Sequence, residues 1–436
     1  MSRVWGWTGS LVTSPSLPPS RTARSSLLSN CISIGGSSRI RRTTLSHVVP
    51  RCSMSQTPDA MDFRVATYNV LCSHLAAPDR FPLCDPSNLD ASTRLERIKQ
   101  KLSEEVSQGA VICLQEVGVA WVGELHVFFL SRGYTFVAAL YGAHFNNYMG
   151  VALAWPLETF EALTVDITRV SETRKWGRDP ERGTDGRGPS PSLPRFIHST
   201  ERTGPLGVLM KLTGMGERES MGTIPRPTGS REREPEDIWR MAEKRFNQAL
   251  FARLRRKGGN PSAPNNGIFC VGTYHMPCLF NHTPVMVMHT SMVIKHLARL
   301  AGSDPLVFGG DFNFNPSSEC YKLATEGNLS SSSPDFPELP EWEKDWSPET
   351  GMKLLSAYRE VEGEEPNFTN NAKVEDYDPF IDTLDYIFCT SGVTATKVLP
   401  LKHRDDVQGP FPTADEPSDH VLLAAEFRID GKRAEA

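Results

Sequence analysis

The sequence lacks the patterns that define several common classes of protein. Its nine cysteines include no C-x-x-C pair and no zinc-finger spacing, and their number is odd. These features argue against a disulfide framework and predict reduced thiols in an intracellular compartment. No stretch reaches the roughly 18 apolar residues that a membrane-spanning helix needs. We therefore expect a soluble protein that makes no use of a membrane.

An excess of basic charge is also absent. The formal net charge of the chain is −5. Without the seven arginines of residues 1 to 58, the remaining body, residues 59 to 436, carries −12. An acidic body is compatible with a local basic groove, but it argues against broad, salt-driven binding to a duplex. It favours a short, single-stranded or mononucleotide substrate.

Acidic residues and lysine are missing from residues 1 to 58, which carry seven arginines and many serines. This composition is typical of an organellar transit peptide, and it has no long apolar core of the kind found in secretory signals. We expect delivery to a mitochondrion or a plastid, with the cytoplasm as the other location. The alternatives are a disordered tail or a start of translation at Met54 or Met61.

The folded domain is expected to span residues 61 to 430, with one interruption. Residues 174 to 237 contain 10 glycines and 8 prolines, together with 12 basic and 10 acidic residues, and they show little apolar periodicity. Such a composition predicts a low-complexity insertion on the surface of the domain. An error in the gene model that retains non-coding sequence is the alternative interpretation.

Apolar patterns predict a mixed set of strands and helices. Continuous or alternating apolar runs indicate strands at residues 63 to 68, 110 to 114, 268 to 274, 306 to 308, 384 to 388 and 421 to 425. Apolar stripes indicate helices at residues 93 to 107, where Thr93 and Glu96 form a capping-box pattern, and at residues 236 to 256 and 285 to 301. Strands alternate with helices but also follow strands directly. This order predicts an α/β (α+β) fold, a four-layer α/β/β/α sandwich of two mixed sheets with helices outside both.

One segment is rich in groups that bind metals and phosphates. A short apolar strand leads into Gly309-Gly310-Asp311-Phe312-Asn313, where the two glycines are expected to let the chain turn sharply. Asp311 and Asn313 are two residues apart, so an extended chain presents both side chains on one face. An acid and an amide at a strand end suit a site for phosphate and a hard metal ion. An ordinary turn is the alternative.

Further polar side chains lie in or beside the other predicted strands. They are Asn69, Gln115 with Glu116, His275, Asp385 and Ser418-Asp419-His420. Each has a structural alternative as a turn, a solvated strand end or a core histidine. The structural alternatives explain Asp385 less well, because a carboxylate inside a buried strand needs a partner. His420 would supply that partner, and the pairing would orient its imidazole.

The order of these residues along the chain resembles the endonuclease/exonuclease/phosphatase superfamily, which includes DNase I and the abasic-site endonucleases. The resemblance covers roughly residues 61 to 430 and implies a DNase I-like fold. Similarity to the carbon-catabolite-repression deadenylases, nocturnin and the angel proteins is carried by Thr67-Tyr68-Asn69-Val70-Leu71-Cys72, by Arg94, by Leu114-Gln115-Glu116-Val117 and by Thr383-Leu384-Asp385-Tyr386-Ile387-Phe388.

The resemblance implies a metal site built around Glu116. Glu116 would be the principal carboxylate ligand of a Mg²⁺ ion, for which Mn²⁺ is the alternative. Asn69 would support that metal or a phosphate oxygen, and Asp419 would complete the metal site. The sequence leaves open whether one or two metal ions are bound.

The resemblance also implies catalytic roles. Asp311 would orient or deprotonate the attacking water, and Asn313 would hold it. His420, oriented by Asp385, would stabilise the charge that develops on the transferred phosphorus. His275 would contact the scissile phosphate.

Contacts with the substrate are implied at Asn147, Tyr148 and Asn370. The middle strand reads Asn146-Asn147-Tyr148-Met149-Gly150 where the deadenylases usually show an Asp-Gly-Cys-Ala-like segment. This departure falls where the base or sugar would be held, so it indicates a divergent member and puts the substrate in question.

The leading hypothesis is a metal-dependent phosphodiesterase, a 3′-to-5′ exoribonuclease or deadenylase-like nuclease that acts on single-stranded RNA. A phosphatase on a small nucleotide, such as a dinucleotide 2′-phosphate, is the alternative within enzymes. A non-catalytic binding module on the same fold is disfavoured, because none of the key site residues has been lost. The sequence contains no leucine-rich repeats that would dock into a deadenylase complex, and it leaves the oligomeric state open.

Overall fold

The structure is a computed structural model of the chain, and it describes residues 60–177, 237–258 and 264–430. Its helices are α1 (Pro86–Leu89), α2 (Ala91–Ser107), α3 (Val119–Leu130), α4 (Ile238–Lys244), α5 (Thr283–Ala301), α6 (Glu319–Glu326) and α7 (Ala357–Glu362). Its strands are β1 (Met61–Asn69), β2 (Val111–Val117), β3 (Tyr134–Leu140), β4 (Gly150–Pro156), β5 (Phe160–Arg169), β6 (Gln248–Arg256), β7 (Ile268–His275), β8 (Leu306–Asp311), β9 (Leu355–Ser356), β10 (Asn370–Ala372), β11 (Phe380–Asp382), β12 (Asp385–Cys389), β13 (Thr394–Val398) and β14 (Leu423–Ile429). The predicted transit peptide, residues 1 to 58, and residues 178 to 236 of the predicted insertion lie outside the described residues.

Two six-stranded sheets form the centre of the fold. The first has the order β13-β14-β1-β2-β4-β3, and the second has the order β5-β6-β7-β8-β12-β9. β1 is parallel to β2 and β7 is parallel to β8, whereas β1 pairs with β14, and β8 with β12, in the antiparallel sense. Both sheets are therefore mixed, as the sequence predicts. β10 and β11 form a separate two-stranded hairpin.

Alternating side chains of the strands fill two layers of core on either side of the first sheet. On β1, Val65 packs in the cluster between the two sheets, whereas Ala66 packs with residues of α2 and α3. Cys113 and Ile112 of β2 alternate in the same way. Because these strands are buried on both faces, their sequences read as nearly continuous apolar runs.

α5 covers the outer face of the second sheet. Its side chains Met288, Val293 and Leu297 are buried in one cluster with Tyr274 of β7 and Phe308 of β8. Burying a side chain of this size contributes roughly 1.5–3 kcal/mol, so the apolar face of α5 holds it on the sheet. The order of layers, helices, sheet, sheet and helices, confirms the predicted sandwich. Among the residues that the structure describes, no helix combines the length and apolarity that a membrane crossing requires.

The two histidines of α5 have partners within this framework. Nε2 of His289 lies 3.1 Å from the carbonyl oxygen of Ala242, and its Nδ1 lies 2.9 Å from the hydroxyl of Tyr274. Since a carbonyl only accepts, Nε2 carries the proton and Nδ1 accepts from the tyrosine. Nε2 of His296 lies 3.2 Å from Asp166. Both histidines are therefore satisfied residues of the core.

The prediction of a single helix over residues 236 to 256 is wrong. α4 ends at Lys244, and the chain continues as β6, which lies between β5 and β7. Leu250 and Ala252 pack between the sheets, whereas Phe251 packs in the layer of α5. Alanine, leucine and arginine favour helices, but pairing with two strands and burial of both faces overrode that propensity.

α2 begins earlier than predicted. Its N-cap is Asp90, whose carboxylate accepts a hydrogen bond from the Thr93 backbone N–H at 2.8 Å. Thr93 therefore lies inside the first turn. The side chain of Glu96 pairs with Lys99, so the predicted capping box does not form.

The stretch that follows β5 packs on the domain. The guanidinium of Arg174 lies over the rings of Trp176 and Trp239, at 4.6 and 5.3 Å from their centroids, and pairs with Glu343. Such cation–π contacts hold the chain against the body. Residues 174 to 177, which the sequence assigned to the predicted insertion, therefore pack on the domain.

Candidate active site

The strand ends that carry the predicted site residues meet at one edge of the sandwich. Asn69 ends β1 opposite Gln115, and His275 ends β7 opposite Asp311. Nδ2 of Asn69 donates to Oδ2 of Asp311 at 2.9 Å, which joins the edge of the first sheet to the edge of the second. The fold thus brings together groups that are 242 residues apart along the chain.

A bulge in β2 aims Glu116 at this edge. The pairing of β2 with β4 shifts between Leu114 and Val117, and Glu116 has a left-handed backbone with φ of 59°. Its carboxylate accepts hydrogen bonds from Nδ2 of Asn69 at 3.2 Å and from the backbone N–H of Cys72 at 2.9 Å. Glu116 is only partly buried, so a ligand can reach it.

Asn69 presents its amide hydrogens to the carboxylates of this edge. Its Oδ1 accepts from the backbone N–H of Leu71 at 2.9 Å, while its Nδ2 faces Asp311 and Glu116. A metal ligand would have to present the oxygen. This orientation favours the phosphate-binding role of Asn69 over the metal-supporting role.

Gln115, to which the sequence analysis gives no role, links the two sheets. It is fully buried, and its Nε2 donates to Oγ1 of Thr67 at 3.0 Å and to Oγ1 of Thr273 at 2.9 Å. These bonds fix the ends of β1, β2 and β7 relative to one another. The signal in the sequence is an amide inside an otherwise apolar run.

The predicted pairing of Asp385 with His420 is confirmed. Nδ1 of His420 lies 2.7 Å from Oδ2 of Asp385, and the same oxygen accepts from the hydroxyl of Thr369 at 2.7 Å. Thr369 is a partner that the sequence analysis missed. Nε2 of His420 lies 3.4 Å from Nδ2 of Asn69 and 3.7 Å from Oδ2 of Asp311. Because Nδ1 is held by the carboxylate, Nε2 is the nitrogen that faces Asn69 and Asp311.

Burial and charge act in opposite directions on this pair. Complete burial raises the pKa of the Asp385 carboxyl to about 6, although the charge of His420 works to lower it. Burial works to lower the pKa of His420, but Asp385, Asp311 and Asp419 together hold it well above its usual value. Burial also raises the pKa of Asp419. At neutral pH the pair is therefore a carboxylate and an imidazolium.

His275 is buried without being fully paired. Its Nε2 lies 3.5 Å from Oδ2 of Asp311, and its Nδ1 has no hydrogen-bond partner among the residues described. The amide of Asn247 donates to the backbone carbonyl of His275 at 2.8 Å and so fixes the strand end. A core histidine normally satisfies both nitrogens. The structural alternative for His275 is therefore disfavoured.

The two glycines before Asp311 do not form the predicted turn. They continue β8, and their missing side chains allow a close approach, since a Cβ on Gly310 would lie 2.2 Å from the carbonyl oxygen of Tyr274. The chain turns at Asn313, with φ of 51°, and the Asn313 amide donates to the carbonyl of Met276 at 2.9 Å. Asp311 and Asn313 are both buried at the edge, but they are not on one extended strand as predicted.

Ser418 and Asp419 are tied to neighbouring loops. The hydroxyl of Ser418 donates to the carbonyl of Asn69 at 2.7 Å, and the carbonyl of Asp419 accepts from the N–H of Asn371 at 2.9 Å. Oδ1 of Asp419 lies 4.0 Å from Nε2 of His420. Asp419 thus lies at the edge, beside His420.

The residues predicted to bind substrate lie around this edge. Asn370 pairs with His420 in a β-bridge, so the β10–β11 hairpin adjoins the site. Asn147 and Tyr148 form a left-handed turn, and the side chain of Tyr148 is exposed. Neither Asn147 nor Tyr148 forms a side-chain hydrogen bond with another described residue.

Arg94 lies fully buried behind the edge and joins the loops that carry the site. Its Nε donates to the carbonyl of Pro417 at 2.7 Å, and its Nη2 donates to the carbonyls of Val70 and Leu71 at 2.7 and 2.8 Å. These carbonyls belong to the loops that follow β1 and precede β14. One guanidinium therefore fixes the two loops against each other, a role that the sequence does not reveal.

Two groups of side chains at the edge could each hold a metal ion. Ligand atoms of Glu116, His275 and Asp311 lie within 4.8 Å of one another, and so do those of Asp311, Asp385 and His420. Asp385 and His420 are already bonded to each other, so the first group is the better candidate. This group contains the carboxylates of Glu116 and Asp311, and Glu116 is partly exposed. Such a pair suits a hard divalent cation such as Mg²⁺ or Mn²⁺. The residues present therefore fit such an ion.

The model of the Endonuclease/Exonuclease/phosphatase family matches residues 66–420. The chain belongs to this family. The superfamily predicted from the order of the motifs is thereby confirmed, and membership places the chain among hydrolases of phosphate esters.

Relatives of this family member agree with the predicted subgroup. It is 38% identical over 138 residues to the CCR4-Not complex 3′-5′-exoribonuclease subunit Ccr4 of Aspergillus niger, a match that covers 30% of this chain and 19% of the relative. It is 34% identical over 128 residues to Carbon catabolite repressor protein 4 homolog 4 of Arabidopsis thaliana, which covers 28% of this chain and 27% of the relative. The chain thus spans about a fifth to a quarter of the length of these curated relatives.

A solved structure shares the fold of this family member. The crystal structure of ANGEL2, a 2′,3′-cyclic phosphatase, in complex with adenosine-2′,3′-vanadate matches with a TM-score of 0.58 at 20% sequence identity. The match covers 86% of this chain and 97% of the other. At this identity the likeness shows the fold alone, and it agrees with the DNase I-like sandwich predicted from the sequence.

Proposed function

We propose that the chain is a divalent-metal-dependent 3′-to-5′ exoribonuclease or deadenylase-like nuclease. One observation carries the proposal, the convergence of Glu116, Asp311 and His420 on the amide of Asn69, within 2.9 to 3.4 Å. Family membership supplies the reaction class. The similarity to an exoribonuclease subunit over 30% of the chain favours RNA as the substrate.

The hydrolytic step would divide among residues of the two sheets. When a divalent cation is bound by Glu116, it supplies positive charge that offsets the charge of the phosphate. Asp311, held by Asn69, orients and deprotonates the attacking water, and Asn313 holds it. His275, on the neighbouring strand β7, is placed to contact the scissile phosphate.

The Asp385–His420 pair would stabilise the transition state. His420 carries a proton on the nitrogen that faces the cleft, because three carboxylates keep its pKa well above the usual value. A fixed, charged donor aimed at a developing oxyanion is worth far more in a desolvated cleft than in water. Asp385 fixes the ring through a hydrogen bond of 2.7 Å, so the donor needs no reorganisation during the reaction.

Two exposed aromatic rings, on segments that adjoin the site, fit a nucleobase. Phe280 follows His275 by five residues, and Phe380 opens β11, the strand that pairs with β10. Their ring centroids are 6.4 Å apart, and 55% of Phe280 and 38% of Phe380 is exposed. Stacking of bases on aromatic rings tolerates any base identity. The pair therefore supports a substrate that carries nucleobases.

A phosphatase that acts on a small nucleotide, such as a dinucleotide 2′-phosphate, is the second candidate. The charge of −12 on the body favours it, since a long polyanion would meet net repulsion. A cleft that holds one phosphate and one base would serve both substrates.

The experiment is a substrate screen with the purified full chain and Mg²⁺. Poly(A), a 2′-5′ oligoadenylate, NADP and an abasic duplex would be assayed with and without chelator, and Glu116→Gln would report contaminating activity. We expect stepwise shortening of poly(A) from its 3′ end by the wild type alone. Release of phosphate from NADP without shortening of poly(A) would establish the second candidate instead. Absence of chelator-sensitive turnover on all four substrates would overturn both.

A further inference from the structure

Tyr141 places a hydroxyl in the space between the sheets at the end that carries the site. It directly follows β3, where Val137 and Ala139 pack between the two sheets, and Tyr141 continues that alternation in the same cluster. Only 8% of its surface is exposed. Its side chain therefore points inward, toward the second sheet.

The hydroxyl of Tyr141 has no hydrogen-bond partner among the residues described, although it is buried. Buried hydroxyls nearly always have one. Tyr134, at the other end of the same strand, is the contrast, because its hydroxyl donates to the carbonyl of Val106 at 3.0 Å. The hydroxyl of Tyr134, at the start of β3, is therefore hydrogen-bonded. The hydroxyl of Tyr141, which directly follows β3, is not.

The pairing of three strands places Tyr141 level with Glu116. Gly150 of β4 pairs with Leu140 on one side and with Val117 on the other, so the residues next to these partners lie at the same end of the sheet. The ring of Tyr141 also lies 6.2 Å from that of Phe246.

The residue after Phe246 connects this corner to the second sheet. Asn247 donates to the backbone carbonyl of His275 at 2.8 Å, and its amide also approaches the oxygen of the Tyr141 hydroxyl, where a donated N–H lowers the pKa of Tyr141. An amide N–H can only donate, so the proton of the Tyr141 hydroxyl still has no acceptor among the described residues. Burial raises the pKa of Tyr141 far above its usual value, with smaller contributions from Glu116 and Asp311. The phenol is therefore a neutral donor in the neighbourhood of two carboxylates.

We propose that the hydroxyl of Tyr141 is a further catalytic group, which donates a hydrogen bond to a non-bridging oxygen of the substrate phosphate beside His275. An oxygen of the substrate phosphate would accept the hydrogen bond for which the described residues offer no acceptor. Because the phenol is neutral, it donates this hydrogen bond without forming an ion pair with the carboxylates of the site. An ammonium group would form such a pair. The inference rests on the proposed function, and it adds a residue to which neither the motifs nor the family resemblance assigns a role.

The test compares Tyr141→Phe with Tyr134→Phe in the full chain. On whichever substrate the wild type hydrolyses, Tyr141→Phe should lower kcat about 100-fold, the scale of losing one preorganised donor, and should raise KM by up to about tenfold, because the same donor also holds the phosphate in the ground state. Its melting temperature should change little, because the proton of the Tyr141 hydroxyl has no acceptor in the folded chain among the described residues. Tyr134→Phe should melt a few degrees lower and retain full kcat. Equal kcat for wild type and Tyr141→Phe would overturn the proposal.

Phosphate binding separates this inference from the proposed function. Isothermal titration of inorganic phosphate in the presence of Mg²⁺ should show about tenfold weaker binding by Tyr141→Phe than by the wild type or Tyr134→Phe. If the wild type hydrolyses no substrate but shows this difference, the proposed function fails and the role of Tyr141 stands. If Tyr141→Phe binds phosphate as well as the wild type does, or if the wild type binds none, the role of Tyr141 is refuted.

Discussion

His275 and His289 are both buried histidines of the same half of the sandwich, yet their surroundings differ. His289, in the outer layer of α5, meets a hydroxyl with one nitrogen and a carbonyl with the other. His275, at the edge between the sheets, has one nitrogen near Asp311 and the other without a partner among the described residues. The surroundings of His289 satisfy both of its nitrogens, whereas the edge leaves one nitrogen of His275 free to meet a ligand.

Two buried ion pairs repeat this difference. Arg64 of β1 and Glu105 of α2 share two hydrogen bonds, of 2.6 and 2.9 Å, within the first half of the sandwich. In the Asp385–His420 pair, Oδ1 of Asp385 is buried without a partner, again among the described residues. We therefore expect substitutions at the edge to change activity more than stability, and substitutions in the framework to do the opposite.

Glu116→Gln should have the largest effect on activity. The amide has nearly the same size but removes the charge that would hold a divalent cation, so turnover should fall by more than about 10³-fold. Because Glu116 is only partly buried, the melting temperature should change little. Glu124→Gln, at an exposed position of α3 that pairs with Lys99, is the matched control and should be fully active. Retention of more than about a tenth of the activity at saturating Mg²⁺ would remove Glu116 from the metal site.

Asp385→Asn, His420→Ala and the double variant should each lose a similar amount of kcat, on the order of 10³-fold. The reason is that the carboxylate acts through the imidazole, so removing either group breaks the same interaction and the losses do not add. Single-turnover rates at saturating substrate would measure this. Losses that multiply in the double variant would show two independent groups and would contradict the pairing as a functional unit.

Phe380→Ala should have a smaller effect, confined to binding. Loss of one stacking surface should raise KM for poly(A) about tenfold and leave kcat nearly unchanged. Phe380→Tyr should behave as the wild type. Tyr377→Ala is the control, because Tyr377 is exposed on the same hairpin. An unchanged KM in Phe380→Ala would exclude the two rings as a base-binding surface.

The parts of the site that the sequence revealed are those dictated by local pattern. Asn69, His275 and Asp311 each end an apolar run, and parallel strands of one sheet bring such ends to the same edge. The Asp385–His420 pairing followed from the need of a buried carboxylate for a partner. These inferences needed only periodicity and the cost of burying charge.

The parts that were missed depend on contacts between distant segments. β6 reads as a continuation of α4, because its residues are good helix formers and only pairing with β5 and β7 decides otherwise. Thr369 and Tyr141 carry no local signal, since a threonine in a loop and a tyrosine after a strand are common. The glycines of β8 were assigned to a turn because sequence does not show that Tyr274 approaches the chain there.

His289→Gln should have the smallest effect on activity and should test the framework side of the comparison. Burial lowers the pKa of His289 to about 4 in the folded chain, from an ordinary value of 6.5. Between these values the unfolded chain binds a proton that the folded chain does not, so this contribution to stability is complete above pH 6.5 and is lost as the pH falls toward 4. The loss between pH 7.5 and 5.5 should be about 1 kcal/mol.

Urea unfolding of wild type and His289→Gln at both pH values isolates this term, because other titrating groups contribute equally to the two proteins and cancel in the difference. The variant should be less stable at pH 7.5, since glutamine cannot reproduce both hydrogen bonds, but its stability should fall less on acidification. Its kcat at pH 7.5 should equal that of the wild type. If the variant retained the full pH dependence, His289 would have to titrate normally in the folded chain. If it lost kcat instead, the assignment of His289 to the framework and of His275 to the site would not hold.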